Sequence, residues 1–183
     1  MKNNILKIVG ALLVVVLFSA GGFQWYNTAT GNFHAITRGE AYRSAQLDSK
    51  QLTHYLAKYH IKSVLNLRGA EPGVEWYDTE IKVSTEHHVA HFDLTLSALS
   101  EPTPADVHFM LTIFKTAPRP LLIHCLGGAD RSGFGAAVWK MTIDNEPASR
   151  AARQLTILYG HLPFGKTQVM DKTFEKFAAE GRS

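Results

Sequence analysis

The sequence predicts a compact α/β fold, with a central, mainly parallel sheet flanked by helices and an N-terminal membrane helix or signal segment ahead of it. Three observations predict it. Short apolar runs such as KSVLNL and PLLIH alternate with helical patterns, the signature of strands feeding helices in one layered core. Glycine and proline punctuate that alternation, and no repeat or low-complexity tract interrupts it. Ahead of it, Ile8 to Tyr26 runs without a charge, long enough to cross a hydrocarbon core of roughly 30 Å.

That first stretch divides the chain into residues 1–27, an anchor or signal segment, and residues 28–183, a single domain joined through the polar NTATGNFH. Lys2 and Lys7 keep the N-terminus on the cytoplasmic side, so the domain is expected outside the cytoplasm, facing the periplasm from the inner membrane of a Gram-negative cell. Trp25 and Tyr26 stand where interfacial aromatics belong. The alternative is a cleaved signal peptide, for which Ser19 and Gly21 offer small residues; the domain would then be periplasmic or secreted.

Within the domain, Ala35 to Arg43 contains the turn-like TRGE and reads as a hairpin or loop entry. Ser49 to His60 carries Leu52, Tyr55, Leu56 and Tyr59 at helical spacing behind Ser49 as cap, and Lys62 to Leu67 follows as a strand. A helix between Gly73 and about Glu86 and an extended segment from His88 to Leu94 repeat the unit. Pro104 to Thr116 is amphipathic through Val107, Met110, Leu111 and Phe114, and Pro120 to His124 is a short apolar strand. Helices over Ser132 to Ile143, Pro147 to Tyr159 and Gln168 to Glu180 complete the order. Trp76 and Trp139 read as packing residues.

Composition narrows the chemistry. The 183 residues are 45% hydrophobic and 19% charged, suited to one core. The net charge of +3 is scattered, so no nucleic-acid partner is expected. His87, His88 and His91 lack the carboxylate pattern of a zinc motif, and neither a metal nor another cofactor is expected. The single cysteine, Cys125, excludes an internal disulfide and must act as a free thiol or thiolate.

Cys125 sits between an apolar strand and a helix, five residues before Arg131, in HCLGGADRSG. A loop of this length can curl so that the N–H groups of Leu126, Gly127, Gly128, Ala129, Asp130 and Arg131 form an anion nest. Gly127 and Gly128 supply conformations closed to other residues. The following helix adds its N-terminal dipole, which favours both a bound phosphate and a thiolate. Arg131 offers a planar fork for two phosphoryl oxygens, a geometry lysine lacks. Ser132 is placed to hydrogen-bond the sulfur, and His124 to fix the loop by bonding backbone groups beneath it.

HCLGGADRSG resembles the HC-x5-R-[ST] signature of the protein tyrosine and dual-specificity phosphatase superfamily, and AYRSAQL with SVLNLRG resembles segments of its small bacterial dual-specificity-like members. The resemblance implies a compact phosphatase fold and a phosphocysteine intermediate on Cys125. It implies no metal, and a phosphorylated protein or small phosphomonoester as substrate. Arg43 and Arg68 match family positions and are expected to pair structurally rather than touch substrate. The sequence departs from the family in TLSALSEPTP, where many members carry an aspartate as general acid. Asp130, placed as in members with an HC-x-x-G-x-D-R loop, is the expected acid, and Asp93 the alternative. Ala129 stands where those relatives often carry a lysine associated with phosphoinositides, which argues against broad lipid specificity. An inositol phosphate or phosphoinositide phosphatase and a phosphate-binding pseudophosphatase are the competing readings. A rhodanese-type sulfur carrier would not require the Arg-Ser-Gly ending.

Overall fold

The computed structural model describes residues 2–180. Helix α1 runs Lys2–Thr30, so the expected boundary after residue 27 falls inside a continuous helix. It ends where Gly31 and Asn32 turn left-handed and return their N–H groups to the carbonyls of Thr28 and Asn27. Its last turn is bound to the domain: Gln51 Nε2 donates to the carbonyls of Thr28 and Ala29, and the Tyr55 hydroxyl to that of Thr30. Among the described residues, Leu12–Thr30 is long and apolar enough to cross a membrane, and none of it is buried.

Strands β1 (His34–Thr37) and β2 (Ala41–Ser44) form an antiparallel hairpin at one edge of a five-stranded sheet. With β3 (Ser63–Asn66), β4 (Ala90–Asp93) and β5 (Leu121–His124), the order is β1-β2-β5-β3-β4, and every pairing after the hairpin is parallel. Adjacent residues of a strand face opposite sides. Val64 and Leu122 therefore pack under α2 (Ser49–Tyr59) and α3 (Glu75–Glu86). Leu65 and Ile123 join the larger core with α4 (Pro104–Thr116), α5 (Asp130–Thr142) and α7 (Val169–Glu180). Burial on both faces explains why these strands read as continuous apolar runs.

The structure corrects four local expectations. The cap of α2 is Asp48, not Ser49: Asp48 accepts from the Gln51 N–H while the Gln51 side chain accepts from the Asp48 N–H. Helix α5 begins at Asp130, two residues early, which draws Asp130 and Arg131 into its first turn. The helix expected over Pro147 to Tyr159 breaks into α6 (Ala148–Ala151) and the 3-10 turns Ala152–Gln154 and Ile157–Tyr159. The physical cause is Arg43. Fully buried, it takes the Gln154 carbonyl at 2.6 Å, a group a continuous helix would have kept for itself. Trp139 is buried against Phe114, whereas Trp76 carries the Arg68 guanidinium 3.4 Å from its ring centre instead of packing in the core.

In the parallel register, Ser44, His124, Asn66 and Asp93 align in one row across the sheet. These are the C-terminal ends of four strands, the edge at which α/β folds carry ligands. The Cys125 loop springs from this row.

Candidate active site

Four successive carbonyls of the loop accept from donors elsewhere in the fold. Leu126 O accepts from the Gln46 N–H at 3.1 Å and Gly127 O from Asn32 Nδ2 at 3.0 Å. Gly128 O and Ala129 O both accept from Arg43 Nη2 at 2.9 Å. A peptide plane whose carbonyl is held outward must turn its N–H to the opposite side. None of the N–H groups of Gly127, Gly128, Ala129 and Asp130, which share peptide planes with those four carbonyls, donates to a backbone carbonyl among the described residues. Four convergent donors at a helix N-terminus form a site for an anion.

Only one of the two glycines is conformationally required. Gly128 has φ +68°, and a Cβ there would stand 2.5 Å from the Ala45 nitrogen. Gly127, expected to share this role, has an ordinary φ and open space around it. Gly133 lets α5 approach Arg43 and Gln154, since a Cβ would meet Arg43 Nη2 at 3.0 Å and Gln154 O at 3.1 Å.

The structure brings Cys125 and Arg131 to opposite ends of the loop. The Cys125 sulfur is buried and hydrogen-bonded with Ser132 Oγ at 3.4 Å. Arg131 Nη1 is tied to the carbonyls of Leu96 at 3.1 Å and Leu67 at 3.3 Å, both at the sheet edge, which fixes the plane of the guanidinium. Its Nε is buried without a hydrogen-bond partner among the described residues. An uncompensated buried donor on a cation is costly, and an anion in the loop is the natural acceptor.

His124 acts differently from expectation. Its Nε2 pairs with Glu80 Oε1 at 3.0 Å rather than with backbone beneath the loop. Glu80 is almost fully buried and also receives Gln46 Nε2 at 2.7 Å and His91 Nε2 at 2.8 Å. Burial alone would raise the Glu80 pKa. The field of His124 and the hydrogen bonds of His124, His91 and Gln46 outweigh it and hold the carboxyl well below the usual range. Arg43 is the structural partner its position implied: burial lowers its pKa to about 10, and its charge still holds the loop at neutral pH. Arg68 donates to Gln46 Oε1 at 3.0 Å and stacks on Trp76.

The two candidate acids sit in unlike surroundings. Asp93 accepts from Asn66 Nδ2 at 2.8 Å on one oxygen and from the Tyr77 hydroxyl at 2.7 Å on the other. Asp130 pairs through Oδ1 with His161 Nδ1 at 2.7 Å, and His161 Nε2 pairs in turn with Asp171 Oδ2 at 2.9 Å. His161 is fully buried; burial would lower its pKa, but Asp130 and Asp171 outweigh it and raise it. Oδ2 of Asp130 has no hydrogen-bond partner among the described residues.

Asn32, Glu80, His161 and Gln154 were not marked by any sequence motif. Each acts through a contact distant along the chain, so no local spacing announces it. Among the described residues, no group of three or more His, Cys, Asp or Glu is arranged to hold a metal ion.

None of the curated proteins compared matches the sequence. Among solved structures, TpbA of P. aeruginosa superposes with a TM-score of 0.65 at 19% identity, covering 82% of this chain and 87% of that one. Tk-PTP gives 0.59 at 16% identity, covering 79% and 97%. PTPMT1 gives 0.57 at 14% identity, covering 82% and 98%. Identities this low establish a shared fold. The profile of the tyrosine phosphatase family matches residues 20–152, more than half of the sequence and inclusive of the whole loop. The chain belongs to the tyrosine phosphatase family.

Proposed function

We propose that this phosphatase hydrolyses phosphotyrosine or related protein phosphomonoesters through a phosphocysteine on Cys125. The observation that carries the reading is the loop itself, with the carbonyls of Leu126, Gly127, Gly128 and Ala129 held by outside donors and Arg131 Nε left without a partner among the described residues. The Cys125 thiolate attacks phosphorus as the ester P–O bond breaks, while the loop amides and Arg131 follow the charge on the transferring oxygens. Asp130 gives its proton to the leaving oxygen from Oδ2. Water then attacks the phosphocysteine, Asp130 takes a proton from it, and the S–P bond breaks to release phosphate and the thiolate. Asp93 is the weaker candidate because both its oxygens already accept hydrogen bonds. A solved complex of a TpbA variant contains phosphotyrosine and one of PTPMT1 contains PI(5)P, so this architecture accommodates both ester classes. Helix α1, unburied and ending on the domain, supports an uncleaved anchor, and Lys2 and Lys7 ahead of the apolar run support a domain outside the cytoplasm.

Steady-state hydrolysis of phosphotyrosine peptides, phosphoserine peptides and inositol phosphates by the detergent-solubilised full chain tests the reading. Phosphotyrosine is expected to give the highest kcat/KM, with Cys125→Ser binding but not turning over. A preference for inositol phosphates would overturn the substrate assignment. Binding without turnover by the unsubstituted chain would make it a pseudophosphatase.

A further inference from the structure

The segment that follows α6 exposes an apolar surface that the proposed chemistry does not use. Ile157 is 63% exposed, Leu158 71%, Leu162 41% and Phe164 65%. Four large apolar side chains exposed within eight residues differ from the single scattered ones that any surface carries. The 3-10 turn Ile157–Tyr159 and the left-handed Gly160 hold the segment in a short, self-contained bend. Arg153 and Lys166, both exposed, flank it on either side.

The position of this surface is fixed relative to α1. Asn32 Nδ2 donates to the carbonyl of Tyr159 at 2.9 Å as well as to that of Gly127, so one side chain joins the apolar segment, the phosphate loop and the end of the helix. A cleft of about 420 Å³ runs between them, lined by Asn27 and Thr28 of α1, Leu126 and Gly127 of the loop, and Tyr159 and Gly160. Trp25, 72% exposed on α1, stands five positions before the end of the helix at Thr30, about 7.5 Å of helix rise. If α1 is embedded with Trp25 at the interface, the cleft opens at the headgroup level.

We propose that residues 157–164 form a membrane-contacting rim, which seats Leu158 and Phe164 in the same bilayer interface that α1 enters and presents the phosphate loop to phosphomonoesters at that surface. The inference rests on the reading of α1 as an uncleaved anchor. Apolar side chains flanked by basic ones are suited to an interface, where they bury about 5–10 Å deep and the cations meet anionic headgroups. A rim of this kind holds the domain at one tilt and limits the reach of the site to esters presented near the bilayer.

The test uses the full chain reconstituted in vesicles containing anionic lipid. A bimane fluorophore is placed at Leu158→Cys in a Cys125→Ser background, with Lys62→Cys, at the far end of the sheet, as the reference position. Quenching by nitroxide-bearing lipids is compared with quenching by aqueous iodide. The expected result is several-fold stronger lipid quenching at position 158 than at position 62, with reduced iodide quenching. Equal quenching at the two positions, in protein that resists extraction by alkaline carbonate, would overturn the rim and leave the anchor standing. Shielding from iodide without lipid quenching would overturn it in favour of a protein partner. Release of the chain by carbonate would remove the anchor and the rim together.

Discussion

Asn32 donates from one side-chain nitrogen to the carbonyls of Gly127 and Tyr159, at 3.0 and 2.9 Å, so the residue just beyond α1 holds the outer wall of the phosphate loop. Its φ of +48° suits glycine, so Asn32→Gly removes the side chain without straining the backbone. Two part-buried carbonyls lose their donor, at about 0.5–1.5 kcal/mol per hydrogen bond. The expected outcome in steady-state kinetics is a drop in kcat/KM of about tenfold. Asn32→Ala should fall further, because alanine adds a backbone cost at positive φ.

The two loop glycines should separate. Gly128→Ala places a methyl 2.5 Å from the Ala45 nitrogen at a φ that resists it, and the loop must move. A displacement of about 1 Å at reacting groups costs roughly 100-fold, which sets the expected loss of kcat/KM for Gly128→Ala. Gly127→Ala meets nothing within 4 Å and should stay within a few-fold of the unsubstituted chain in the same assay.

Asp130→Asn should slow phosphotyrosine hydrolysis by about 10²- to 10⁴-fold, the usual worth of a general acid, and largely spare esters with activated aryl leaving groups. Comparing the two substrate types separates proton donation from loop damage, which would slow both. An unchanged phosphotyrosine rate, with Asp93→Asn losing the acid-dependent limb, would transfer the role to Asp93.

The buried histidine and glutamate make opposite contributions to pH dependence. The pKa of His161 is raised above 6.5 in the folded state, so its stabilisation is complete below about 6.5 and is lost as pH climbs through the folded value. The pKa of Glu80 is lowered from 4.5, so its stabilisation is present above 4.5 and is lost as pH falls toward its folded value. Urea unfolding across pH should therefore show a flattened alkaline limb in His161→Gln and a flattened acid limb in Glu80→Gln. At pH 7, Glu80→Gln should also cost about 1–3 kcal/mol, the scale for leaving buried hydrogen-bonding groups unpaired.

The architecture was legible because local patterns and global packing agree. The KSVLNL and PLLIH runs became β3 and β5, and Pro104 to Thr116 became α4 with its Thr103 cap. Where the reading failed, a long-range contact had overridden local preference: Arg43 drew off the Gln154 carbonyl and broke the helix expected through Tyr159. Cys125, Arg131 and their loop lie within ten consecutive residues, so their spacing together with the apolar strand before them and the helix after them could be read locally. The supports of that loop, Asn32, Arg43 and Glu80, lie 44 or more positions away from the residues they hold. Only Arg43 was singled out beforehand, through the family resemblance of its segment. The Asp130–His161–Asp171 chain, buried only at His161, likewise depends on the path of residues 152–168, whose turns no periodicity specifies.

Covalent transfer to Cys125 is tested by a rapid acid quench of the full chain during turnover of an aryl phosphate, followed by peptide mass analysis. A phosphoryl group is expected on the peptide containing Cys125 and none on that of Cys125→Ser, which should also be inactive. Sustained turnover with no phosphocysteine at any quench time, or turnover by Cys125→Ser at the rate of the unsubstituted chain, would contradict it.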